Sequence, residues 1–188
     1  MADSWEKLRA DAENCTACEL CKTRTNCVFG TGNTDADILF VGEAPGENED
    51  KTGTPFVGRA GKLLDSFLYA VDIPRDRVYI ANILKCRPPK NRDPLPAEEE
   101  ACIDFLRRQV ALMQPKVIVC LGRISAMKLI KPDFKITAEH GVWFVKGKYQ
   151  MCAVYHPALL LRDPRRKEEM MEDMKKIKAK VEEMKLGL

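Results

Sequence analysis

The chain alternates short apolar runs with longer segments in which apolar residues recur every three or four positions. Continuous apolar runs, typical of strands buried on both faces, lie at 36–41, 78–83 and 116–121. Segments with helical periodicity begin near Ala60 and Pro96, and a third covers about 165–186. Strands that alternate with helices predict a three-layer α/β/α domain with a mostly parallel central sheet.

Shorter elements fill the intervals between these segments. Ser4 is placed to cap a helix that ends at about Asn14, and a short helix is expected over 125–130. Residues 142–145 and 150–155 are expected to pair as a hairpin. The remaining loops are expected at 15–33, 42–59, 84–96 and 156–164. Because the last three loops follow predicted strands, we expect a ligand site where they converge, at the carboxyl ends of the strands.

The composition indicates one soluble domain that spans residues 1–188. Apolar residues make up 45% of the chain and charged residues 31%, and the formal net charge of +3 says little about partners. No apolar run approaches the roughly 20 residues that span a bilayer, and the first 15 residues are polar and acidic. We therefore expect no membrane segment and no secretion signal, and we expect a cytoplasmic protein.

Eight cysteines in a chain without an export signal indicate metal binding or redox chemistry rather than disulfides. Cys120 and Cys152 lie inside apolar runs and are expected to be small buried core residues. Cys15 and Cys18 have the C-x-x-C spacing that lets two thiolates bind one metal centre.

Two further cysteine pairs can complete a four-cysteine site with the C-x-x-C pair. A local site would use Cys21 and Cys27, whereas a distant site would use Cys86 and Cys102, which flank a proline-rich loop. The distant pair is slightly favoured because it would fasten the N-terminal segment to that loop. Spacing alone does not distinguish zinc from a [4Fe–4S] cluster.

Candidate active-site side chains follow the predicted strands. Glu43 comes directly after the first strand, in the sequence GEAPG, where a carboxylate can orient water or bind a donor. Phe56 lies between two glycines and is either a core residue or a stacking platform for a planar ligand. Asn82 lies near the end of the second strand, where a buried amide must be satisfied and can pair with a nucleobase edge. His156, one of two histidines, follows the last strand.

Six segments in this order resemble the iron–sulfur uracil-DNA glycosylases, usually called family 4. They are Cys15-x-x-Cys18, GEAPG at 42–46, GTPFVGRAG at 53–61, YIAN at 79–82, KCRPPKNR at 85–92 and HPALL at 156–160. The resemblance covers nearly the whole chain and implies the uracil-DNA glycosylase fold. It also implies a [4Fe–4S] cluster held by Cys15, Cys18, Cys86 and Cys102, with Cys21 and Cys27 outside it.

The resemblance further implies a monofunctional glycosylase that flips uracil out of single- or double-stranded DNA and hydrolyses its N-glycosidic bond, leaving an abasic site. The implied uracil-binding residues are Gly42, Phe56 and Asn82, and the implied catalytic residues are Glu43 and His156. Phosphate contacts are expected from a basic set formed by Lys85, Arg87, Lys90, Arg92 and Arg162. A repair enzyme that scans DNA is expected to be a monomer.

Two positions bear on the subtype within this family. Ala44 stands where the best-known uracil-DNA glycosylases place a water-activating Asp, and Glu43, one residue earlier, fits the iron–sulfur branch. A related iron–sulfur branch that traps the sugar covalently needs a His in the loop that here spans 86–96, and this loop contains none. We therefore expect plain hydrolysis with turnover.

Three other functions are compatible with parts of this pattern. A non-catalytic module that binds uracil or damaged DNA, with a structural metal site, would keep Phe56 and Asn82 but lack a competent Glu43 and His156. A zinc-stapled nucleic-acid-binding protein would be colourless, whereas an iron–sulfur protein is brown. A redox enzyme would use the cluster for electron transfer rather than for structure.

Overall fold

The computed structural model of the protein describes residues 4–186, and a six-stranded sheet runs through the centre of this part of the chain. The strands, in chain order, are β1 (Thr31–Gly32), β2 (Ile38–Gly42), β3 (Val78–Asn82), β4 (Val117–Leu121), β5 (Phe144–Lys146) and β6 (Tyr149–Val154). Their order in the sheet is β1-β3-β2-β4-β6-β5, with four parallel central strands and an antiparallel strand at each edge. The predicted mostly parallel sheet is therefore confirmed. The ends of the predicted domain, residues 1–3 and 187–188, lie outside the described residues.

Helices cover both faces of this sheet. They are α1 (Trp5–Glu13), α2 (Glu47–Thr52), α3 (Arg59–Ala70), α4 (Pro96–Met113), α5 (Arg123–Leu129), α6 (Ile136–Glu139), α7 (Pro157–Arg162) and α8 (Lys167–Glu183). One core cluster joins the sheet to α3, α7 and α8, and a second joins its opposite face to α4 and α5. Within residues 4–186, no helix is both long and apolar enough to cross a membrane.

The central strands are apolar along their whole length because both of their faces are covered. In β2, Ile38 and Phe40 pack toward α3 and α8, whereas Leu39 and Val41 pack toward α4 and α5. All residues of β2, β3 and β4 are buried, which explains why their sequences read as continuous apolar runs. Cys120 and Cys152 are 0% and 1% exposed inside the two core clusters, so their predicted role as small core residues is confirmed.

The predicted helix ends follow ordinary capping chemistry. The Ser4 hydroxyl accepts a hydrogen bond from the backbone N–H of Lys7 at 3.2 Å and starts α1. Pro96 occupies the first position of α4, and the Glu98 carboxylate accepts from the backbone N–H of Leu95 at 2.9 Å. In α8 the periodic apolar stripe is buried against the sheet, as its spacing predicts.

Three segments expected as loops contain regular structure, and these predictions were wrong. Residues 47–52 form α2, residues 157–162 form α7, and residues 31–32 add the edge strand β1. The short helix α6 was not predicted either. The two helices α2 and α7 are six residues long each, too short for an apolar period to show in the sequence.

Tertiary contacts hold α2 in place. Asp50 is 4% exposed, and its Oδ1 accepts hydrogen bonds from the backbone N–H groups of Thr25 at 2.9 Å and Asn26 at 3.4 Å. Gly53 ends the helix in the left-handed conformation, with φ of 72°. A polar helix of six residues is only marginally stable by itself, so these contacts with the cysteine-rich segment (15–33) determine its position.

Candidate active site and cysteine cavity

The carboxyl ends of the parallel strands open into a cavity of about 370 Å³. It is lined by residues that follow β2, β3 and β6 in the chain, together with the start of α3 and the loop before α4. The predicted residues among them are Glu43, Phe56, Asn82, Arg92, His156 and Arg162. The three loops therefore converge as expected, and the cavity has the size of a small-ligand site.

Close packing of Gly42 against its neighbours shapes the floor of this cavity. Gly42 pairs with Asn82 across β2 and β3. A Cβ atom at position 42 would lie 2.3 Å from Asn82 Oδ1 and 2.7 Å from Cζ of the Phe56 ring. Only glycine fits here, because any side chain would displace the amide and the aromatic ring together.

Asn82 lines the cavity and carries a buried acceptor without a partner among residues 4–186. The residue is 2% exposed, and its Oδ1 has no hydrogen-bond partner within the described part of the chain. A buried acceptor without a partner costs about 1–3 kcal/mol, so most such atoms are paired in folded proteins. Its place beside Phe56 and at the end of a strand makes it a candidate contact for a ligand that donates a hydrogen bond.

His156 is held in one tautomer at the start of α7. Its Nδ1 accepts a hydrogen bond from the backbone N–H of Ala158 at 3.1 Å, so the neutral ring carries its proton on Nε2. Burial lowers the pKa of His156 to about 4; the positive charge of Arg162 lowers it further, and Glu49 opposes the shift. The imidazole ring is 5.8 Å from the Phe56 ring, centroid to centroid. A neutral hydrogen-bond donor therefore lies beside the aromatic platform.

Glu43 occupies a half-buried position after β2. Burial raises the pKa of its carboxyl to about 7; Asp93 raises it further, and Arg123 opposes the shift. No group among residues 4–186 forms a hydrogen bond with this carboxylate, which leaves both oxygens available to a ligand or water. A carboxylate whose pKa lies near neutrality is suited to accept a proton.

The sequence reasoning missed the part that Glu49 plays. This residue of α2 lines the cavity, and its Oε1 accepts from the backbone N–H groups of Val57 at 2.9 Å and Gly58 at 2.8 Å. The turn that carries Phe56, whose φ is 54°, is thereby fastened to α2. The sequence predicts a loop over 42–59, and nothing in its pattern indicates this contact.

The predicted phosphate-binding residues occupy different environments. Lys90 and Arg162 are exposed, and Arg162 lines the cavity. Arg92 also lines the cavity but is paired with the Glu98 carboxylate at 2.6 Å. Arg87 is partly buried and donates from Nε to Asn91 Oδ1 at 2.7 Å.

Lys85 is not on the surface, so its predicted contact with DNA phosphate was wrong. The side chain is 1% exposed, and its Nζ donates to the backbone carbonyl of Asn82 at 2.9 Å and to Gln109 Oε1 at 2.7 Å. Burial lowers the pKa of its ammonium group to about 8. A charge that is enclosed in this way does not contact a phosphate backbone.

A second, smaller cavity brings the cysteines of the N-terminal segment to those of α4 and its preceding loop. Cys15, Cys18, Cys21, Cys86 and Cys102 all line it, whereas Cys27 does not. Three hydrogen bonds to sulfur surround it. Ala17 N–H donates to Cys15 at 3.5 Å, Lys85 N–H to Cys102 at 3.3 Å, and Arg24 Nη1 to Cys86 at 3.1 Å.

Comparison with known proteins supports the family resemblance over most of the chain. A family model described as the uracil DNA glycosylase superfamily matches residues 29–178. A type-4 uracil-DNA glycosylase of Archaeoglobus fulgidus is 46% identical over 186 residues, covering 93% of this chain and 92% of that protein. The chain belongs to the type-4 uracil-DNA glycosylases.

Two other members of the family match over similar lengths. The type-4 uracil-DNA glycosylase of Sulfurisphaera tokodaii is 44% identical and covers 94% of this chain and 84% of its own. That of Thermotoga maritima is 45% identical and covers 89% of each chain. The family and the α/β/α fold expected from the six sequence segments are therefore confirmed.

Membership of the type-4 glycosylases implies an iron–sulfur cluster, and the thiol groups that line the cysteine cavity are the donors that such a cluster needs. Within residues 4–186, no three Cys, His, Asp or Glu side chains are close enough together to hold a single metal ion. A cluster of several irons spreads its sulfur ligands farther apart than one ion does, and cysteine thiolates are its usual ligands. Hydrogen bonds to three of the sulfurs, one of them from the guanidinium of Arg24, suit the negative charge of bound thiolates.

The neutral tautomer of the partly buried His156 can be tested by its titration. We expect its imidazole to remain neutral from pH 8 down to about pH 5 and to titrate with a midpoint of about 4. Nitrogen NMR of the folded protein measures this, with the signal assigned by its loss in His156→Gln. In Arg162→Ala the midpoint should rise, because a nearby positive charge is removed. A midpoint near 6.5 in the wild type would contradict the lowered pKa, because 6.5 is the value of a histidine in water.

Proposed function

We propose that the protein removes uracil from DNA by hydrolysing the N-glycosidic bond of a deoxyuridine that is flipped into the 370 Å³ cavity. The unpaired Oδ1 of Asn82 carries this proposal. Uracil presents an N3–H donor beside its O4 acceptor, and one amide side chain matches both: Oδ1 accepts from N3–H while Nδ2 donates to O4. The Phe56 ring beside the amide provides a stacking surface for the base.

The Asn82 amide distinguishes uracil from cytosine, because N3 of cytosine accepts a hydrogen bond and its exocyclic amine donates one. It does not separate uracil from thymine, because both bases share the same edge. We assign exclusion of the thymine methyl group to the first turn of α2, where Gly46 and Glu49 line the cavity. Glu49 is fixed by its contacts with Val57 and Gly58, so this wall cannot move aside at low cost.

His156 stabilises the leaving base. When the bond between C1′ and N1 breaks, its electron pair leaves with uracil and negative charge collects on O2. A neutral Nε2–H group can stabilise this charge by donating a hydrogen bond to O2 while it keeps its proton. A single donor of this kind contributes about 3–4 kcal/mol to catalysis. The backbone contact from Ala158 to Nδ1 keeps the donor on the opposite nitrogen.

Glu43 acts on the sugar and on the attacking water. As the base leaves, C1′ gains positive charge, which the ionised carboxylate stabilises. The same carboxylate orients a water molecule and accepts its proton while the water oxygen forms the new bond to C1′. The products are free uracil and an abasic deoxyribose in an otherwise intact strand.

DNA is held by the cations around the cavity mouth, of which Lys90 and Arg162 are exposed and Arg92 is partly exposed. For the cysteine cavity we propose a [4Fe–4S] cluster bound by Cys15, Cys18, Cys86 and Cys102. When bound, the cluster joins the N-terminal segment to the loop before α4 and so supports the loop that carries Arg92. The residues of the base cavity carry out the hydrolysis.

Uracil release tests the function. We expect the wild-type protein to convert an oligonucleotide with one deoxyuridine into an alkali-labile product and to leave the matched thymidine oligonucleotide intact. His156→Ala should slow release by about 10²–10³-fold in single-turnover assays, with DNA affinity changed far less, because the donor acts mainly in the transition state. Binding of the uracil oligonucleotide without any cleavage would contradict the proposal and favour a non-catalytic binding module.

The pH dependence of release tests Glu43. Since the ionised form is required, kcat/KM should fall about tenfold per pH unit below a midpoint of about 7 and reach a plateau above it. Asp93→Asn should move the midpoint lower, because the negative charge of Asp93 raises the pKa of Glu43. Glu43→Gln should remove most activity together with this limb of the profile. A profile that is flat from pH 5 to pH 8 would exclude Glu43 as the base.

Cysteine variants test the cluster assignment. Cys86→Ala should lose iron and the broad visible absorbance, and its stability should fall with them. Cys21 lines the same cavity, so Cys21→Ala is the matched control and should keep the iron content of the wild type. Iron loss in Cys21→Ala with retention in Cys86→Ala would instead support a ligand set confined to the N-terminal segment. Metal analysis that finds zinc alone would exclude the cluster.

A further inference from the structure

Lys85 is the one cation among the buried residues of the described chain. Its side chain is 1% exposed although it lies between two sites that the function needs, the base cavity and the cysteine cavity. Enclosing an ammonium group costs several kcal/mol unless partners stabilise it. A methionine or leucine would fill similar space without that cost, so packing alone does not explain a lysine here.

The partners of the ammonium group point to a more specific role. Nζ donates to the main-chain carbonyl of Asn82 at 2.9 Å and to Gln109 Oε1 at 2.7 Å. Gln109 is 1% exposed and is itself fixed, because its Nε2 donates to the carbonyl of Phe29 at 2.9 Å. The ammonium is therefore aimed at the backbone of the residue whose side chain carries the unpaired acceptor.

The backbone of Lys85 is anchored as firmly as its side chain. Its N–H donates to Cys102 Sγ at 3.3 Å, and its carbonyl accepts from the N–H of Val28 at 2.8 Å. One residue thus connects the wall of the cysteine cavity to the last residue of β3. β3 ends at Asn82, and the next two residues still pair with the end of β2, since Ile83 N–H donates to the Gly42 carbonyl at 3.1 Å and Leu84 N–H to the Glu43 carbonyl at 3.0 Å. The ammonium of Lys85 therefore adds a side-chain contact to a main chain that is already held in register.

We propose that Lys85 is a positioning residue that acts through Asn82. Its ammonium fixes the Asn82 carbonyl and so sets the direction of the amide that reads the base, with Gln109 holding the ammonium in place. This inference rests on the proposed function, because its effect is measured on uracil release. It gives Lys85, the buried cation of the segment 85–92, a role in base recognition rather than in contact with DNA phosphates.

A double-mutant cycle tests this coupling under single-turnover conditions. Lys85→Met removes the donor at nearly constant volume and should lower the rate of uracil release at least tenfold, with DNA affinity within about threefold of the wild type. In an Asn82→Ala background the same change should lower the rate less than threefold, because the group that it positions is absent. Iron content and visible absorbance are measured for each variant, so that a change in the cysteine cavity is seen separately.

Gln109→Met provides a second cycle that does not alter a neighbour of a cysteine. It leaves the ammonium in place but removes one of its acceptors, and it should lower the rate by less than Lys85→Met does. Its effect should likewise disappear in the Asn82→Ala background. This variant decides the question if Lys85→Met fails to fold or loses iron.

The outcomes separate the two proposals. If the wild type releases uracil and both cycles are additive, or both single variants match the wild type, Lys85 does not act through Asn82 and this inference is wrong while the function stands. If the wild type releases no uracil, both the proposed function and this inference are wrong. Non-additive losses of release with unchanged iron content support the positioning role.

Discussion

The pairing of Gly42 with Asn82 is the constraint on which the base cavity depends. Parallel strands place these residues side by side at the carboxyl edge of the sheet, and the missing side chain at position 42 leaves room for the amide and for the Phe56 ring. Glu43 then follows directly, so the same strand end supplies both the space and the carboxylate. A shift of this register by one residue would remove all of these features together.

Buried and half-buried carboxylates give the surrounding loops their shape. Two adjacent residues of α2 hold different segments. Glu49 accepts hydrogen bonds from the turn after Phe56, and Asp50 accepts one from Thr25 in the cysteine-rich segment 15–33. Glu98 performs a similar task for the loop before α4 by pairing with Arg92. The acidic residues of α2 and α4 therefore hold the loops around both the base cavity and the cysteine cavity.

The sequence predicted the elements whose signal is local. Apolar runs located β2, β3 and β4, and capping residues located the starts of α1 and α4, because each is determined by residues adjacent in the chain. The helix α2 and the burial of Lys85 depend on partners far away in sequence, such as Thr25 and Gln109, and no local pattern reveals them. For the same reason the sequence placed Lys85 among the phosphate contacts, together with Arg87, Lys90 and Arg92. The unpaired atom of Asn82 could be recognised only in three dimensions.

The position of the cysteine cavity has a consequence for the order of folding. Arg24 meets Cys86 across 62 residues of chain, and Cys102 belongs to α4, which packs on the sheet. Closing a loop of this length costs conformational entropy, which the pairing of β2 with β3 and the docking of α4 must first offset. We therefore expect Cys15 and Cys18 to meet Cys86 and Cys102 late, on a chain that has already formed its core. For the cluster proposed above, insertion would then act on a nearly finished protein, and Cys15 and Cys18, both partly exposed, mark the side from which an iron–sulfur donor would approach.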